Sequence, residues 1–217
     1  ARRMTGRIAR GPWWNTPVRR LVRFLTGSVA VILAAGALAP TASAARDRFA
    51  YGDSVMVGAR SQLVARGFRV DAHESRQAYS SPAAMRSRAG RLPANVVVHM
   101  GTNGTFPRST CDALVRAIGS QHRLFLVTVH ARRSWVAGNN AMIRSCAKAH
   151  PGVRVIDWDA AARQHPGWLY SDGIHLRQVG ARGYADLLSG AVDAAIAQDR
   201  RAALLAAAGT GQATVVR

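Results

Sequence analysis

The chain has 217 residues, of which 48% are hydrophobic, so it can bury a sizeable core and fits one domain with an appendage. Its formal net charge is +19, and 29 of its 30 basic residues are arginine, Lys148 being the only lysine. A surface this positive attracts anionic polymers, but the sequence has no zinc-finger spacing, helix-turn-helix pattern or aromatic RNA-binding motif, so specific recognition of nucleic acid is not expected.

The first 44 residues have the pattern of an export signal. Three arginines within 19–23 precede an uncharged stretch at 24–45, and the sequence Ala-Ser-Ala at 42–44 is of the small-x-small type that signal peptidase accepts. We interpret 1–44 as a basic leader with a signal peptide that is cleaved after Ala44. The alternative is an uncleaved membrane anchor, because 22 uncharged residues are just long enough to span a bilayer. Both interpretations place the rest of the chain outside the cytoplasm of a bacterium, either secreted or anchored in the cell envelope.

Residues 45–200 are expected to form the folded domain, and 201–217 to form a tail that extends the last helix and then frays. Residues 1–44 contain seven arginines and no acidic residue, so the remainder keeps 23 basic and 11 acidic residues, a net charge of +12. The positive charge is therefore a property of the domain and not only of its leader.

Strand-like and helix-like segments alternate five times after the leader. The predicted strands span 49–51, 68–72, 94–100, 124–130 and 153–157, and those at 94–100 and 124–130 are nearly continuous apolar runs, as in a sheet covered on both faces. The predicted helices span 55–66, 81–90, 110–120, 135–149 and 180–199. This alternation, with right-handed crossovers, predicts a five-stranded parallel sheet inside a three-layer α/β/α sandwich.

Polar motifs follow three of the predicted strands, at the edge where such folds bind ligands. The triplet Gly-Asp-Ser at 52–54 follows the first strand, Gly-Thr-Asn-Gly at 101–104 follows the third, and His130 ends the fourth. Because the carboxyl ends of parallel strands share one edge of the sheet, we expect these motifs to lie near one another.

Ser54 is the candidate nucleophile. A serine hydroxyl needs a base, and the base needs an acceptor that orients its other nitrogen. Asp172 and His175 are three residues apart, a spacing that puts both side chains on one side of a turn or helix. We predict that His175 is the base and Asp172 its partner. The alternative is that Ser54 and Asp172 only cap helices.

The negative charge that develops in acyl transfer requires fixed hydrogen-bond donors. The candidates are the backbone N–H of Ser54 at the start of a helix and the side-chain amide of Asn103, although an asparagine between two glycines also occurs as a purely structural turn residue. Asp53 is expected to cap the turn or brace the site. Gly101 and Thr102 are expected to contact substrate.

The remaining polar and aromatic candidates lie on loops or in a strand. Arg76 and His130 are expected to contact substrate, and His73, on the same loop as Arg76, is a further candidate. His99 is expected to be a core or rim histidine. For Trp135 and Trp168, a wall for a sugar or acyl chain and core packing are equal alternatives.

Cys111 and Cys146 are the only cysteines, and an even pair in an exported protein suggests a disulfide. Both lie in predicted helices that flank the same predicted strand. The alternative is two unpaired buried thiols. Because no Cys/His cluster accompanies the pair, neither a metal nor another cofactor is expected.

The chain resembles the SGNH hydrolases, also called GDSL-like esterases, over 49–190. Three blocks carry this resemblance: YGDSVMVGA, HMGTNG and SDGIHL. Within the family it most resembles the extracellular SGNH domain of membrane acyltransferases, including peptidoglycan O-acetyltransferases, on GDSVMVGA, VDAHESRQ, GTNG, VHARRSWVAGNNAMI and LYSDGIHLRQVGARGYA. The resemblance implies the flavodoxin-like SGNH fold, with Ser54 as nucleophile, His175 as base and Asp172 as its partner.

The sequence departs from the family pattern at two points. The second-block glycine, which offers a backbone oxyanion donor in typical members, is not evident, and Ser75 stands near its place as the expected substitute. The multi-pass membrane acyltransferase part is also missing from the sequence. The acyl group is therefore expected from a small ester or from a separate membrane acyl-donor protein.

The expected function is that of an exported serine esterase or O-acyltransferase. It would form a short acyl ester, such as acetyl, on Ser54 and pass it to water or to a carbohydrate hydroxyl, with an O-acetylated glycan of the cell envelope as a candidate substrate. The alternative is a non-catalytic cationic module that binds anionic cell-wall polymer through its arginines.

Overall fold

The structure is a computed structural model that describes residues 47–212. The expected leader at 1–44 lies outside these residues, so its cleavage or anchoring stays a prediction. Within the described range, no helix is both long enough and apolar enough to cross a bilayer.

Five parallel strands form one sheet in the order β2-β1-β3-β4-β5. They are β1 (Arg48–Gly52), β2 (Phe68–Ala72), β3 (Asn95–His99), β4 (Arg123–Val127) and β5 (Val153–Ile156). The predicted parallel sheet and three-layer fold are confirmed. Because the strand order reverses direction at β1, the ends of β1 and β3 flank the crevice in which such sheets bind ligands.

Helices cover both faces of the sheet. They are α1 (Ser54–Gly58), α2 (Arg60–Ala65), α3 (Ser81–Arg86), α4 (Arg108–Ile118), α5 (Val136–Ala149), α6 (Trp158–Gln164) and α7 (Gln178–Gln212). Single 3₁₀ turns lie at Ala78–Ser80 and Pro166–Trp168. Helices α1, α2, α6 and α7 pack on one face of the sheet, and α3, α4 and α5 pack on the other.

The structure differs from the predicted elements at several boundaries. The helix predicted at 55–66 is divided at Ala59, whose N–H turns back to the carbonyl of Met56. Helix α6 was not predicted, although Asp157 caps it by accepting a hydrogen bond from the N–H of Ala160 at 3.2 Å. The last helix continues to Gln212, so it extends into the predicted tail.

Alternate side chains of each strand enter two separate apolar layers. In β1, Ala50 packs under α7, whereas Phe49 and Tyr51 face the layer under α3 and α4. The largest wholly buried side chains include Trp158 and Tyr184, both in the α7 layer. This burial on both faces explains why β3 and β4 are nearly continuous apolar runs in the sequence.

A disulfide joins Cys111 on α4 to Cys146 on α5, as expected from the sequence. Both cysteines are fully buried in the layer that these helices form with the sheet. The bond ties together two helices that precede and follow β4.

Candidate active site

Ser54 stands at the abrupt junction between β1 and α1. The residue two positions before Ser54 is Gly52. A Cβ at this position would lie 2.7 Å from the Cβ of Met56, so there is no room for a side chain. Asp53 is extended and caps α1, its Oδ1 accepting a hydrogen bond from the N–H of Val55 at 3.1 Å. Ser54 is therefore only partly buried, at the carboxyl-terminal edge of the sheet.

The loop at 169–176 brings an imidazole to Ser54. Its base is closed by an antiparallel bridge between Leu169 and Leu176, both of which are buried in the α7 layer. The N–H of Tyr170 donates to the carbonyl of His175 at 2.9 Å, which tightens the loop further. His175 is thus held on a short closed loop anchored in the core.

Ser54, His175 and Asp172 form a continuous chain of hydrogen-bonding contacts. His175 Nε2 lies 3.2 Å from Ser54 Oγ, and His175 Nδ1 lies 2.7 Å from Asp172 Oδ2. The other carboxylate oxygen, Oδ1, accepts from the backbone N–H groups of Ile174 at 2.8 Å and His175 at 3.0 Å. Gly173 has φ +67°, a left-handed conformation that a glycine adopts without strain. Asp172 therefore shapes the loop with one oxygen and orients the imidazole with the other.

The charge of Asp172 fixes the proton positions in this chain. The hydrogen bond from His175 lowers the pKa of Asp172 to about 2; burial acts in the opposite sense, and the N–H groups of His175 and Ile174 add to the lowering. With the carboxylate ionised, Nδ1 of the neutral imidazole must carry the hydrogen in their contact. Nε2 is then left as an acceptor that faces the hydroxyl of Ser54.

The predicted oxyanion donors come from the start of α1 and from two loops that contact each other. The Ser54 N–H occupies the first position of α1, where no carbonyl one turn earlier can accept it. The side-chain amide of Asn103 reaches the carbonyl of Arg76 at 3.4 Å, so the loop after β3 contacts the loop after β2. Ser75 has φ +56°, a conformation that favours glycine, which fits a substitute for the second-block glycine. That the three donors converge on one oxygen stays a prediction.

Comparison with known proteins agrees with this geometry. No family model matches the chain. The chain is 31% identical over 145 residues to YrhL of Bacillus subtilis, a candidate peptidoglycan O-acetyltransferase; the match covers 65% of this chain and 23% of that protein. The C-terminal catalytic domain of Streptococcus pneumoniae peptidoglycan O-acetyltransferase A, solved with a methylsulfonyl adduct, superposes with a TM-score of 0.63 at 25% identity, covering 70% of this chain and 94% of that one.

A GDSL-like lipase from Bacteroides thetaiotaomicron shares the fold, with a TM-score of 0.54 and 19% identity over 75% of this chain and 93% of that one. The chain therefore has the fold of the SGNH hydrolases and is similar in sequence to peptidoglycan O-acetyltransferases. It spans about a quarter of the length of the curated relatives it matches.

Arg76 braces the end of β1 next to the Ser54 junction. Its guanidinium donates to the carbonyl of Gly52 at 3.1 Å and to the carbonyl of Asp71 at 2.7 Å, and it stacks 4.0 Å from the ring centroid of Tyr51. The side chain is therefore engaged by protein groups beside the Ser54 junction. A contact with substrate, as expected from the sequence, would require the guanidinium to leave these partners.

The other predicted substrate contacts differ in exposure. Thr102 is buried, so its side chain reaches a substrate only if the loop moves. His130 is partly exposed and holds the Oδ1 of Asp159 through its Nδ1 at 2.8 Å. Gly101 has φ +117°, and Asn139 and Val129 leave no room there for a Cβ. The roles of Gly101, Thr102 and His130 toward substrate stay predictions.

Two asparagines of α5, Asn139 and Asn140, have structural roles that the sequence analysis missed. Asn139 accepts from the N–H of Phe106 at 2.7 Å and donates to the carbonyls of Gly101 at 2.9 Å and Gly104 at 2.8 Å, which fixes the loop that carries Asn103. Adjacent asparagines inside a helix, where their propensity is poor, were the available signal.

Asn140 braces the end of β4. It bonds both backbone groups of Val129, at 2.7 and 2.9 Å, and its amide reaches Asp159 Oδ2 at 3.2 Å. It therefore holds the segment that leads to His130.

Trp135 and Trp168, for which the sequence allowed two roles, both contact other groups of the protein. Trp135 donates from Nε1 to the carbonyl of Gly101 at 3.2 Å. Trp168 stacks on His165, with ring centroids 4.1 Å apart, and lies against Gly180 and Gly183 of α7. Core packing is thus the better description of Trp168, and Trp135 braces the loop after β3.

A buried polar cluster lies beneath Ser54. His99 and Asp53 are fully buried, and His99 Nδ1 contacts the hydroxyl of Tyr184 at 2.8 Å. Burial lowers the pKa of His99, against the opposing effect of the Asp53 charge, and burial with that charge raises the pKa of Tyr184. His99 is therefore a neutral core histidine, as expected.

One group of potential metal ligands occurs among residues 47–212, formed by Cys111, Cys146 and His150. The disulfide occupies both sulfur atoms. His150 Nε2 contacts Asp112 Oδ1 at 2.9 Å. In this oxidised state the group offers no thiolate to a metal.

Proposed function

We propose that the domain is an extracytoplasmic serine acyl-ester enzyme that transfers or hydrolyses an acetyl ester of cell-envelope carbohydrate. The observation that carries the proposal is the ordered contact of Asp172, His175 and Ser54 at the edge of the sheet. The names of the relatives, which specify peptidoglycan O-acetyl transfer, support the acyl group and the carbohydrate. The export-type leader and the disulfide support the location.

The first step would acylate Ser54. Its Oγ attacks the ester carbonyl while its proton passes to His175 Nε2, the acceptor 3.2 Å away. The ionised Asp172 stabilises the imidazolium that forms and keeps its orientation. When the tetrahedral intermediate collapses, the carbonyl–oxygen bond of the ester breaks, and the leaving alcohol takes the proton from Nε2. A positioned general base of this kind contributes roughly 10²- to 10⁴-fold to a rate.

The second step would release the acyl group. A water molecule or a carbohydrate hydroxyl gives its proton to His175 and attacks the acyl carbonyl. Ser54 leaves and recovers that proton, so that the enzyme returns to its starting state. Water as acceptor makes the enzyme an esterase, and a sugar hydroxyl makes it a transferase.

Negative charge on the carbonyl oxygen in both steps would be held by the Ser54 N–H, by the Asn103 amide and by a backbone donor near Ser75. Asn103 at present contacts a backbone carbonyl at 3.4 Å, a weak bond that substrate can replace. Losing one such donor costs about 2.7 to 4 kcal/mol of transition-state stabilisation in a known serine enzyme.

The test is turnover of 4-nitrophenyl acetate by the purified domain. Ser54→Ala should abolish enzyme-dependent release of nitrophenol while circular dichroism stays that of a folded protein. Turnover equal to wild type in Ser54→Ala would refute the serine mechanism, whereas a wild-type protein without enzyme-dependent turnover would favour the non-catalytic cationic module. Adding a chitooligosaccharide acceptor, and analysing the products for acetylated sugar against free acetate, separates transferase from esterase.

A further inference from the structure

A cleft of about 610 Å³ opens beside the loop that carries Asp172 and His175. Its lining comes from the segment after β4, from the end of α6 with the turn that follows, and from the loop itself on either side of Asp172. Its volume lies within the range of clefts that hold small ligands. The side chains of Ser54, Asp172 and His175 do not line it. It is therefore a neighbouring space and not the acyl site.

Three arginines line this cleft: Arg132, Arg163 and Arg177. Arg163 pairs with Asp159, whereas Arg132 and Arg177 form no ion pair with any residue in 47–212. Arg132 lies against the triad loop, since its Nε would be 3.5 Å from a Cβ placed on Gly173. Two exposed guanidinium groups thus stand next to the loop without a counter-ion from the described chain.

The acidic groups in the neighbourhood are already engaged. Asp159 is bound by Arg163, His130 and Asn140. The oxygens of Asp172 face the imidazole and the backbone of their own loop. No acidic residue of the described chain lines the cleft. Its electrostatic character is therefore cationic, and an anionic ligand meets no acidic side chain in the lining.

An exposed aromatic ring borders the cleft as well. Tyr170 is 54% exposed, and the Cζ of Arg177 lies 5.6 Å from its ring centroid. This contact orients the guanidinium by a cation–π interaction. An exposed aromatic ring lies beside a guanidinium group that it orients. This combination suits a sugar that carries a negative charge.

We infer that this cationic cleft binds a carboxylate or phosphate group on the carbohydrate whose ester the triad acts on, so that the substrate is an acidic glycan. The inference rests on the proposed function for the ester but names a feature that this function does not require. Guanidinium groups bind both oxyanions through paired hydrogen bonds, which gives orientation as well as affinity. The anionic group would then place the neighbouring acyl ester at Ser54.

Three synthetic sugars test the inference. They are methyl glycosides of glucose, glucuronic acid and glucose 6-phosphate, each with one acetyl ester on the same hydroxyl. We expect kcat/KM for acetate release to be at least about tenfold higher for the glucuronide, the phosphate sugar or both than for the glucose derivative, because hydrogen bonds between charged groups are stronger than those between neutral groups. The anionic sugar with the higher kcat/KM shows whether the cleft binds a carboxylate or a phosphate group. Equal kcat/KM for all three sugars would overturn the inference.

Variants connect the preference to the cleft. In Arg132→Gln combined with Arg177→Gln, the ratio of anionic to neutral kcat/KM should fall toward one. Arg116→Gln, which removes an exposed arginine of α4 on the other side of the sheet, should keep the wild-type ratio. A double variant that keeps the wild-type ratio would overturn the assignment. Added sodium chloride should reduce the wild-type ratio because it screens exposed charges.

A binding measurement separates this inference from the proposed function. Calorimetry on the Ser54→Ala protein with unacetylated methyl glucuronide, methyl glucose 6-phosphate and methyl glucoside requires no turnover. Tighter binding of either anionic sugar supports the cleft even if no ester is cleaved, in which case only the proposed function fails. If the ester is cleaved but all three sugars bind equally, the inference about the cleft is overturned and the proposed function stands.

Discussion

His175 Nε2 lies 3.2 Å from Ser54 Oγ although 121 positions of sequence separate the two residues. The strand order explains this approach. β1 lies between β2 and β3 in the sheet, so its carboxyl end is accessible to loops from both sides, and the closed loop at 169–176 reaches it from just before α7. A serine and a base from opposite ends of the domain can therefore meet at one edge.

Asp172→Asn tests the orienting role of the carboxylate. The amide would favour the wrong imidazole tautomer, so kcat for 4-nitrophenyl acetate should fall about 10³- to 10⁴-fold, as in a known serine protease. Because the pKa of Asp172 is about 2, the wild-type carboxylate stays ionised well below neutral pH. If the kcat of the wild type falls as the pH drops through the neutral range, protonation of Asp172 should therefore not be the cause. Activity within a few fold of wild type in Asp172→Asn would contradict its role.

Asn139→Ala tests the brace behind Asn103. Removing a buried amide with three backbone partners should cost about 1 to 3 kcal/mol in the free energy of unfolding. It should also reduce kcat, because the loop after β3 loses its position. Asn140→Ala is the matched control: it removes comparable buried bonds at β4, so urea denaturation should show a similar loss with a smaller effect on kcat. Equal kcat for the two variants would argue against the brace.

Ser75→Gly tests whether the positive φ of Ser75 strains the backbone of the loop after β2. A glycine takes φ near +56° without strain, so the substitution should leave the free energy of unfolding unchanged or raise it by up to about 1 kcal/mol. The backbone N–H is kept, and the esterase rate should stay close to wild type. A large loss of kcat with unchanged stability would show that the hydroxyl of Ser75, and not its backbone, serves the site.

The buried His99 should make folding sensitive to mild acid. Burial lowers its pKa in the folded state, with Asp53 opposing, so below the unfolded value of about 6.5 the unfolded chain binds a proton that the folded chain does not. The free energy of unfolding should therefore fall between pH 7 and pH 5. In His99→Gln, which can still contact Tyr184, urea denaturation should show a smaller fall over the same range. Identical pH dependence in the two proteins would count against a neutral buried imidazole.

The disulfide should contribute measurably to stability. Cys111 and Cys146 are 35 positions apart, and closing a loop of that length removes unfolded-state entropy worth about 3 to 4 kcal/mol in the chain-entropy model. Cys111→Ser combined with Cys146→Ser should lower the free energy of unfolding by about that amount. Dithiothreitol should destabilise the wild type but not the double variant. Equal denaturation midpoints for the wild type with and without reductant would contradict the prediction.

The elements that carry the candidate site were readable because each has a local signature. Continuous β-branched runs such as 96–98 identify strands buried on both faces, and Gly52 before Asp53 and Ser54 identifies a sharp turn into a helix. The triad spacing followed from backbone geometry alone. These signals depend on residues that are close in sequence, so they can be recognised before the fold is known.

The features that were missed depend on contacts between distant segments. Helix α6 is short and alanine-rich, and tertiary packing of Trp158 decides its formation. The bonds of Arg76 to carbonyls on β1 and β2 depend on the pairing of these strands, and the sequence does not report them. The brace by Asn139 likewise needs α5 packed against the loop after β3. The only local signal among these features is the pair of adjacent asparagines inside α5.

The mass of the intact protein after brief exposure to 4-nitrophenyl acetate at low pH, followed by peptide mapping, tests the proposed chemistry most directly. The predicted result is one added acetyl group, located on Ser54 and absent from the Ser54→Ala variant. An enzyme that turns over the ester while Ser54 never carries acetyl, or that carries it equally in Ser54→Ala, would contradict nucleophilic attack by this hydroxyl.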